Sequence, residues 1–468
     1  MRVNRAFVVV VIGCLVALLA PTAASATPRM LLGFHDDPTF RWAGDAPEAL
    51  DDVQAAHASI IRTTVNWRVI APRRPLEPAD SFDPAYRLGD LDDLVRNAQK
   101  RGMQMMLTIW GTPGWANGGR RANVPPTQPA DLTSFARAIA DRYSGRHQGY
   151  PYVGRFSIWN EPNLEIFLST QFDARGNIIS PRVYADLYRA GYRGIKAGNR
   201  GALVAIGETS NRGRDHPARG SSSESVAPGT FARLLAQQKG LRFDAYATHP
   251  YSTHPSAPPT QKVRWPNVTL SQLPRFEASL DTWFRRANIP VWITEYGYQT
   301  KPGEPFGVTN AQQATYLTQV LRQLKADPRV QVFIWFVFRD SLESPWQSGL
   351  VGVSGTPKPA YRTFTAQARA IDGETMTVKP RVAPTIKVPV PQLAYGSPVG
   401  STIGVTYRVY DKTKLVAVAQ PAPRLQVDQS ISFVARFRPA RRKTYTIVMD
   451  MNDINGGGTR ITYCLVTR

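Results

Sequence analysis

The feature that most restricts how this chain can fold is an alternation, between about Met30 and Ala370, of short apolar runs with longer amphipathic ones. The short runs are Met30–Phe34, Ser59–Val65, Gln104–Trp110, Arg155–Trp159, Leu203–Ile206, Asp244–Thr248, Val291–Thr294 and Val332–Phe336. A polar loop and a helical stretch follow each of the first seven; Leu132–Tyr143, Arg182–Ala197 and Ala311–Ala326 are examples. The eighth leads through a long loop to Tyr361–Ala370. Strands that alternate with helices belong in a parallel sheet covered on both faces. Eight such units in about 340 residues fit one closed (β/α)8 barrel with some enlarged loops. An open doubly wound sheet is the competitor, but it would carry a glycine-rich phosphate turn after an early strand. Here the first run ends in Gly33-Phe34-His35-Asp36-Asp37, which cannot serve as one. The segments Glu208–Thr230 and His249–Pro266 lie after the fifth and sixth runs. Long loops at the C-terminal ends of strands are where a barrel builds its cleft.

The flanks differ from this pattern. A basic start with Arg2 and Arg5, an apolar run Phe7–Ala20, Pro21 and the small residues Ala24-Ser25-Ala26 make residues 1–26 a secretory leader cleaved after Ala26. An uncleaved signal-anchor is the alternative; the run is short for a ~30 Å hydrocarbon layer, and Pro21 breaks it. No later segment is apolar enough to span a membrane, so the expectation is a secreted or cell-envelope-associated protein. Loss of the leader removes Cys14 and leaves Cys464 as the one thiol. Export without a disulfide calls for a large self-supporting core. From about Thr375 a Pro-rich linker leads to the alternating, β-branched segments Ser401–Tyr410, Ser430–Phe437, Thr444–Met449 and Thr459–Val466, read as a small β-sandwich. The expected division is therefore residues 1–26 leader, 27–372 barrel and 373–468 accessory sandwich. Within the last part, Asp450–Gly458 has a faint calcium-loop pattern, but Ile454 stands where a ligand is needed and a hairpin through Asn455-Gly456 fits better.

The formal charge is +22, or +20 without Arg2 and Arg5, and half of that excess lies from Thr375 onward, with fourteen Lys/Arg against four Asp/Glu. Such a field acts on partners rather than on the fold. Zinc spacings, basic helices and aromatic nucleic-acid motifs are missing, so no nucleic-acid partner is expected. An acidic polysaccharide or an anionic envelope suits an exported chain better; a charge that serves solubility alone is the bland alternative.

Two strand ends carry the chemistry. Ser157-Ile158-Trp159-Asn160-Glu161-Pro162-Asn163 closes the fourth run, and Ile293-Thr294-Glu295-Tyr296-Gly297 closes the seventh. A carboxylate is costly at the rim of an apolar barrel unless something there uses it. One such Glu would be a structural acid paired with an Arg. Two, on strands that face each other across a barrel mouth, match the needs of glycosidic cleavage, in which one carboxyl protonates the leaving oxygen while the other attacks or assists at the anomeric carbon.

Trp159-Asn160-Glu161-Pro162 together with Thr294-Glu295-Tyr296 resembles the signature of glycoside hydrolase clan A, and in particular its cellulase-like and family 39-like barrels, over roughly Met30 to Phe364. The resemblance implies a retaining glycosidase with Glu161 as acid/base and Glu295 as nucleophile. It further implies that Arg62 supports the nucleophile, that Asn160 bonds the sugar 2-hydroxyl, that His249 and Tyr251 form a His-x-Tyr pair whose hydroxyl orients the nucleophile, and that Trp335 is the aromatic floor beside the cleaved bond. Pro357-Lys358-Pro359-Ala360-Tyr361 is similar to the start of the last barrel helix in these enzymes. Trp110 and Trp115 could stack on sugar faces or pack the core, and His35 and Asp36 could meet substrate. His249 alone could be a satisfied core histidine, Arg62 a surface ion-pair partner and Trp335 plain packing. His57, His147, His216 and His254 show no metal-ligand spacing, and this chemistry requires no cofactor. The expected protein is a monomer acting on a carbohydrate; a non-catalytic carbohydrate-binding barrel and a transglycosylase remain as alternatives. Neither the glycan nor endo against exo action is written in these motifs.

Overall fold

The computed structural model describes residues 30–218, 223–372, 374–390, 397–453 and 458–467. The proposed leader, and the turn at residues 454–457 that bears on the hairpin reading, lie outside the described residues.

Eight strands, β1 Leu31–His35, β2 Ile60–Asn66, β3 Gln104–Trp110, β4 Arg155–Ile158, β5 Leu203–Ser210, β6 Ala245–His249, β7 Val291–Tyr296 and β8 Val330–Phe336, close in sequence order into a parallel barrel, with β8 paired to β1. Each expected apolar run is one of these strands. The strands alternate between two cores, as pleated backbone requires. Leu31, Ile60, Met106, Ala205, Ala247, Trp292, Val332 and Ile334 fill the interior. Leu32, Phe34, Ile61, Val65, Leu107, Ile109, Phe333 and Trp335 face the surrounding helices. Gly33 is demanded by closure at β1–β2, since a Cβ there would stand 1.6 Å from the Ile60 carbonyl oxygen. Several helices, among them Ala46–Ala55, Pro129–Arg142, Ser180–Gly198 and Pro228–Leu235, start with Pro in the first turn, where its missing N–H costs nothing. Asn310–Lys325 starts with a full capping box between Thr309 and Gln312.

Two departures from regular strand geometry shape the barrel mouth. β5 runs to Ser210, four residues past its expected end, and its register with β6 slips between Gly207 and Thr209, so Glu208 is an extra residue in the strand rather than part of a loop. β7 slips against β8 between Ile293 and Tyr296, around Glu295.

After the last barrel helix, Pro359–Asp372, come seven strands: β9 Glu374–Val378, β10 Thr385–Pro389, β11 Gly404–Asp411, β12 Lys414–Ala419, β13 Ser430–Val434, β14 Thr444–Asn452 and β15 Gly458–Thr467. The expected linker is thus in part a strand, β9, which pairs in parallel with β15. The five-stranded sheet β12-β11-β14-β15-β9 and the ribbon β10-β13 share one core that includes Met376, Ile386, Tyr407, Phe433, Ile447 and Leu465. No helix among the described residues is long and apolar enough to cross a membrane.

Candidate active site

The C-terminal ends of all eight strands ring an open cavity of about 870 Å³, lined among others by His35, Trp110, Asn160, Glu161, Tyr251 and Glu295. Beneath it lies a buried polar layer built from the inward positions of β2, β3, β4, β6 and β7. Arg62, fully buried, donates from Nη1 to Glu295 Oε1 at 2.7 Å and from Nη2 to Asn160 Oδ1 at 3.0 Å. Its Nε donates to Thr108 Oγ1 at 3.0 Å, and Thr108 is bonded in turn to Ser157 at 2.9 Å. His249, also fully buried, stands with Nδ1 2.9 Å from Glu161 Oε1 and Nε2 2.9 Å from Glu208 Oε2. Glu208 Oε2 accepts as well from Thr294 Oγ1 at 2.7 Å and from Arg62 at 3.4 Å. The Tyr251 hydroxyl reaches Glu295 Oε2 at 3.3 Å, and its ring lies stacked on Tyr296.

The local backbone explains how the two glutamates reach the cavity. Parity along β4 would turn Trp159 inward and Asn160 away. Trp159 instead takes a left-handed φ of 72°, its ring joins the helix-facing core, and its Nε1 donates to the Phe167 carbonyl at 2.7 Å. Asn160 and Glu161, the latter at φ 36°, are thereby thrown into the cavity. Glu208 is left-handed too, at φ 50°. Non-glycine residues in this region hold about 1–3 kcal/mol of strain each, which the surrounding contacts must over-determine. Asn163 supplies some of them: its Nδ2 donates to the Val226 carbonyl at 2.9 Å and its Oδ1 accepts from Ser210 N at 2.9 Å, which ties the loop after β4 to that after β5.

The charges in this layer decide its protonation. Burial alone would raise the Glu295 carboxyl, but His249, Arg62 and His35 outweigh it and hold the group below its ordinary range, as a carboxylate. Burial likewise opposes charge on Glu208, and Arg62 and His249 overcome it, bringing it down to about 2. His249 is pushed up to about 10: burial resists its charge, while Glu295, Glu161 and Glu208 hold its proton. It is therefore an imidazolium that donates to the Glu208 carboxylate on one side and to Glu161 Oε1 on the other. Burial raises the Tyr251 phenol well above its usual value, and the neighbouring Glu295 carboxylate adds to this, so it stays a donor. A ligand atom from each of Glu161, His249 and Glu295 falls within 4.8 Å of the others, close enough to cage a small cation. An imidazolium has no lone pair to give a metal, however, and in this state the cluster is one for proton and glycosyl chemistry.

The structure gathers Glu161, Glu295, Asn160, Tyr251, Trp110 and His35 around one cavity. It alters the reading of the others. Arg62 and His249 are fully buried under the carboxylates and hold them, rather than touching substrate. Trp335 is not the floor: Val332 and Ile334 face the interior, so Trp335, one residue out of phase, is fully buried against the helices with Nε1 on the Ser348 carbonyl at 2.8 Å. Phe336 and Trp346 line the cavity in its place. Asp36 turns away to accept from Phe338 N at 3.1 Å and Arg339 N at 3.0 Å, and Asp37 lines the cavity instead, where burial opposes its charge but His35 and Arg41 outweigh it and hold it down to about 2. Trp115 packs edge-on against Trp67 and donates to the Ala71 carbonyl at 2.8 Å. Sequence reasoning missed Glu208, whose signal was the same as for the other two glutamates: an acid directly after apolar Ala205-Ile206 and Gly207.

Comparison with known proteins agrees with this architecture. The family described as Cellulase (glycosyl hydrolase family 5) matches residues 25–337. A search of curated proteins returns no match. Among solved structures, a family 39 glycoside hydrolase from Bacteroides cellulosilyticus is similar at TM-score 0.55 and 16% identity, over 88% of this chain and 81% of its own. GH5_18 from Streptomyces cattleya, solved in complex with GlcNAc, is similar at TM-score 0.51 and 18% identity, over 76% of this chain and 83% of its own. At these identities the likeness speaks for the fold.

Proposed function

The chain belongs to the cellulase family, glycosyl hydrolase family 5, and on that footing we propose that it cleaves O-glycosidic bonds with net retention, through a glycosyl ester on Glu295. Glycosidase activity follows from membership, and with it the alternative of a non-catalytic barrel falls away. One observation carries the finer reading: an oxygen of Glu161 and an oxygen of Glu295 lie within 4.8 Å of each other. Carboxyl groups about 5–5.5 Å apart serve retention, whereas inversion needs ~6.5–9.5 Å to admit a water between acid and base.

In this reading Glu295, kept ionised by His249 and Arg62, attacks the anomeric carbon while Glu161 gives its proton to the departing oxygen. Water then enters, Glu161 takes its proton, and the ester breaks. Asn160 presents an amide whose oxygen is already bound to Arg62, which leaves Nδ2 to donate to a sugar hydroxyl. His249, fixed by Glu208, orients Glu161 through Oε1 and leaves Oε2 for the travelling proton. The residues before Met30 fit a leader removed on export, so secretion is part of the same proposal. Glu295→Ala should abolish hydrolysis of an activated aryl glycoside, and azide should restore turnover with an inverted glycosyl azide as product. Near-normal hydrolysis by both Glu295→Ala and Glu161→Ala would sink the mechanism.

A further inference from the structure

Strand pairing brings the excess positive charge of the C-terminal part to one end of its sheet. The end of β9 lies beside the end of β15 through Val378 and Thr467, and Thr467 N donates to the Lys443 carbonyl at 2.9 Å just before β14 begins. β14 pairs with the end of β11 through Thr446 and Tyr410, and β11 turns into β12 across Asp411 and Lys414. Five strand ends therefore form a row β12-β11-β14-β15-β9, roughly 20 Å wide at the usual spacing of about 4.8 Å per strand. Along it stand Lys412 and Lys414, then Arg441 and Arg442, then Lys379 and Arg381, all of them exposed. None of these six makes an ion pair or a side-chain hydrogen bond among the described residues, and the acid at this end, Asp411, is taken by Lys443. Like charges crowded without partners repel one another at a cost to stability, which a polyanion laid across the row would relieve. Adjacent strand ends in the row are about 4.8 Å apart, inside a screening length of about 8 Å, so charges carried on them act on such a chain jointly.

We propose that this end of the C-terminal sheet docks an acidic polysaccharide. The choice of a glycan rests on the glycosidase reading and on one feature of the cavity: Arg87 and Arg212 line it with no ion pair or side-chain hydrogen bond among the described residues, ready for carboxylate or sulfate groups. Against nucleic acid, aromatic rings for base stacking are missing from the exposed residues of the row.

The test uses the whole protein and measures binding to alginate, a neutral β-glucan, duplex DNA and vesicles rich in anionic lipid at physiological salt. The variant K412E/R441E/R442E is read beside it, with hydrolysis of a small aryl glycoside as the control for fold and active site. The expected result is alginate binding stronger than that of the other three, falling with added salt and weakened at least about tenfold in the variant, with aryl-glycoside turnover unchanged. Equal alginate binding by variant and parent, or tighter binding to DNA, vesicles or neutral glucan, overturns it. Loss of turnover in parent and variant alike would instead strike the mechanism proposed above, since binding is read separately.

Discussion

Glu208 offers a direct measure of how much the buried layer contributes, because its substitution by Gln removes a charge while keeping the shape. Its Oε2 receives His249, Thr294 and Arg62, and no part of the side chain is exposed. The carboxyl falls from 4.5 to about 2 on folding, which corresponds to about 3 kcal/mol of stability at neutral pH. The sign is that of a depressed acid: the contribution is present above pH 4.5 and is lost as pH falls through about 2. E208Q should therefore unfold about 5 °C below the parent at pH 7. The gap should close as both are acidified, since the parent loses by protonation what the variant never had. Because Glu208 reaches substrate only through His249 and Arg62, kcat should fall about 10- to 100-fold with little change in KM. Calorimetric or fluorescence melting between pH 2.5 and 8, with steady-state kinetics at pH 7, reads both effects. A variant as stable as the parent at pH 7, or a difference that does not narrow in acid, would refute the assignment of Glu208 as the anion that anchors His249 and Arg62.

The two tryptophans near β8 should separate packing from binding. Trp335→Ala should destabilise the fold by about 3–5 kcal/mol, whereas Trp346→Ala, which opens a cavity wall, should chiefly raise KM; melting and substrate saturation curves check both. The reverse pattern would restore Trp335 as the floor of the site. Outside the site, Glu277 is pushed up to about 8, by burial first and by Asp327 next. A raised acid favours the fold below its unfolded value and loses that contribution as pH rises through about 8, so Glu277→Gln should match the parent near pH 4 and melt higher than it near pH 9.

Much of the site is legible in the chain because a strand's inward positions recur every second residue. Counting back from Trp110 along β3 or from Asn66 along β2 gives the residues that do face the mouth. That count fails where the backbone leaves regular geometry. Trp159 turns left-handed and β5 carries an extra residue at Glu208, whereas after His35 the count holds, with Asp36 outward and Asp37 inward. Trp335 is a different failure: β8 pairs with β1 residue for residue from Val332 to Phe336, and a neighbouring Phe336 of the same chemistry makes the phase ambiguous without Val332 and Ile334 to set it. The positive residues of the C-terminal part were countable but not locatable, since they come together only through the pairing of β9 with β15 and of β11 with β14.

The sequence by itself determined the barrel, through eight apolar runs in alternation with amphipathic helices, and the two glutamates that end its fourth and seventh strands. Those follow from local periodicity and from the cost of an acid at an apolar rim. Only the tertiary structure decided the protonation of the site, because a buried charge takes its state from partners that lie far off in the chain. Arg62 meets Glu295 across 233 residues, and His249 meets Glu161 across 88. Coulombic attraction between such groups depends on separation in space, and that separation is set by barrel closure rather than by any local run of residues.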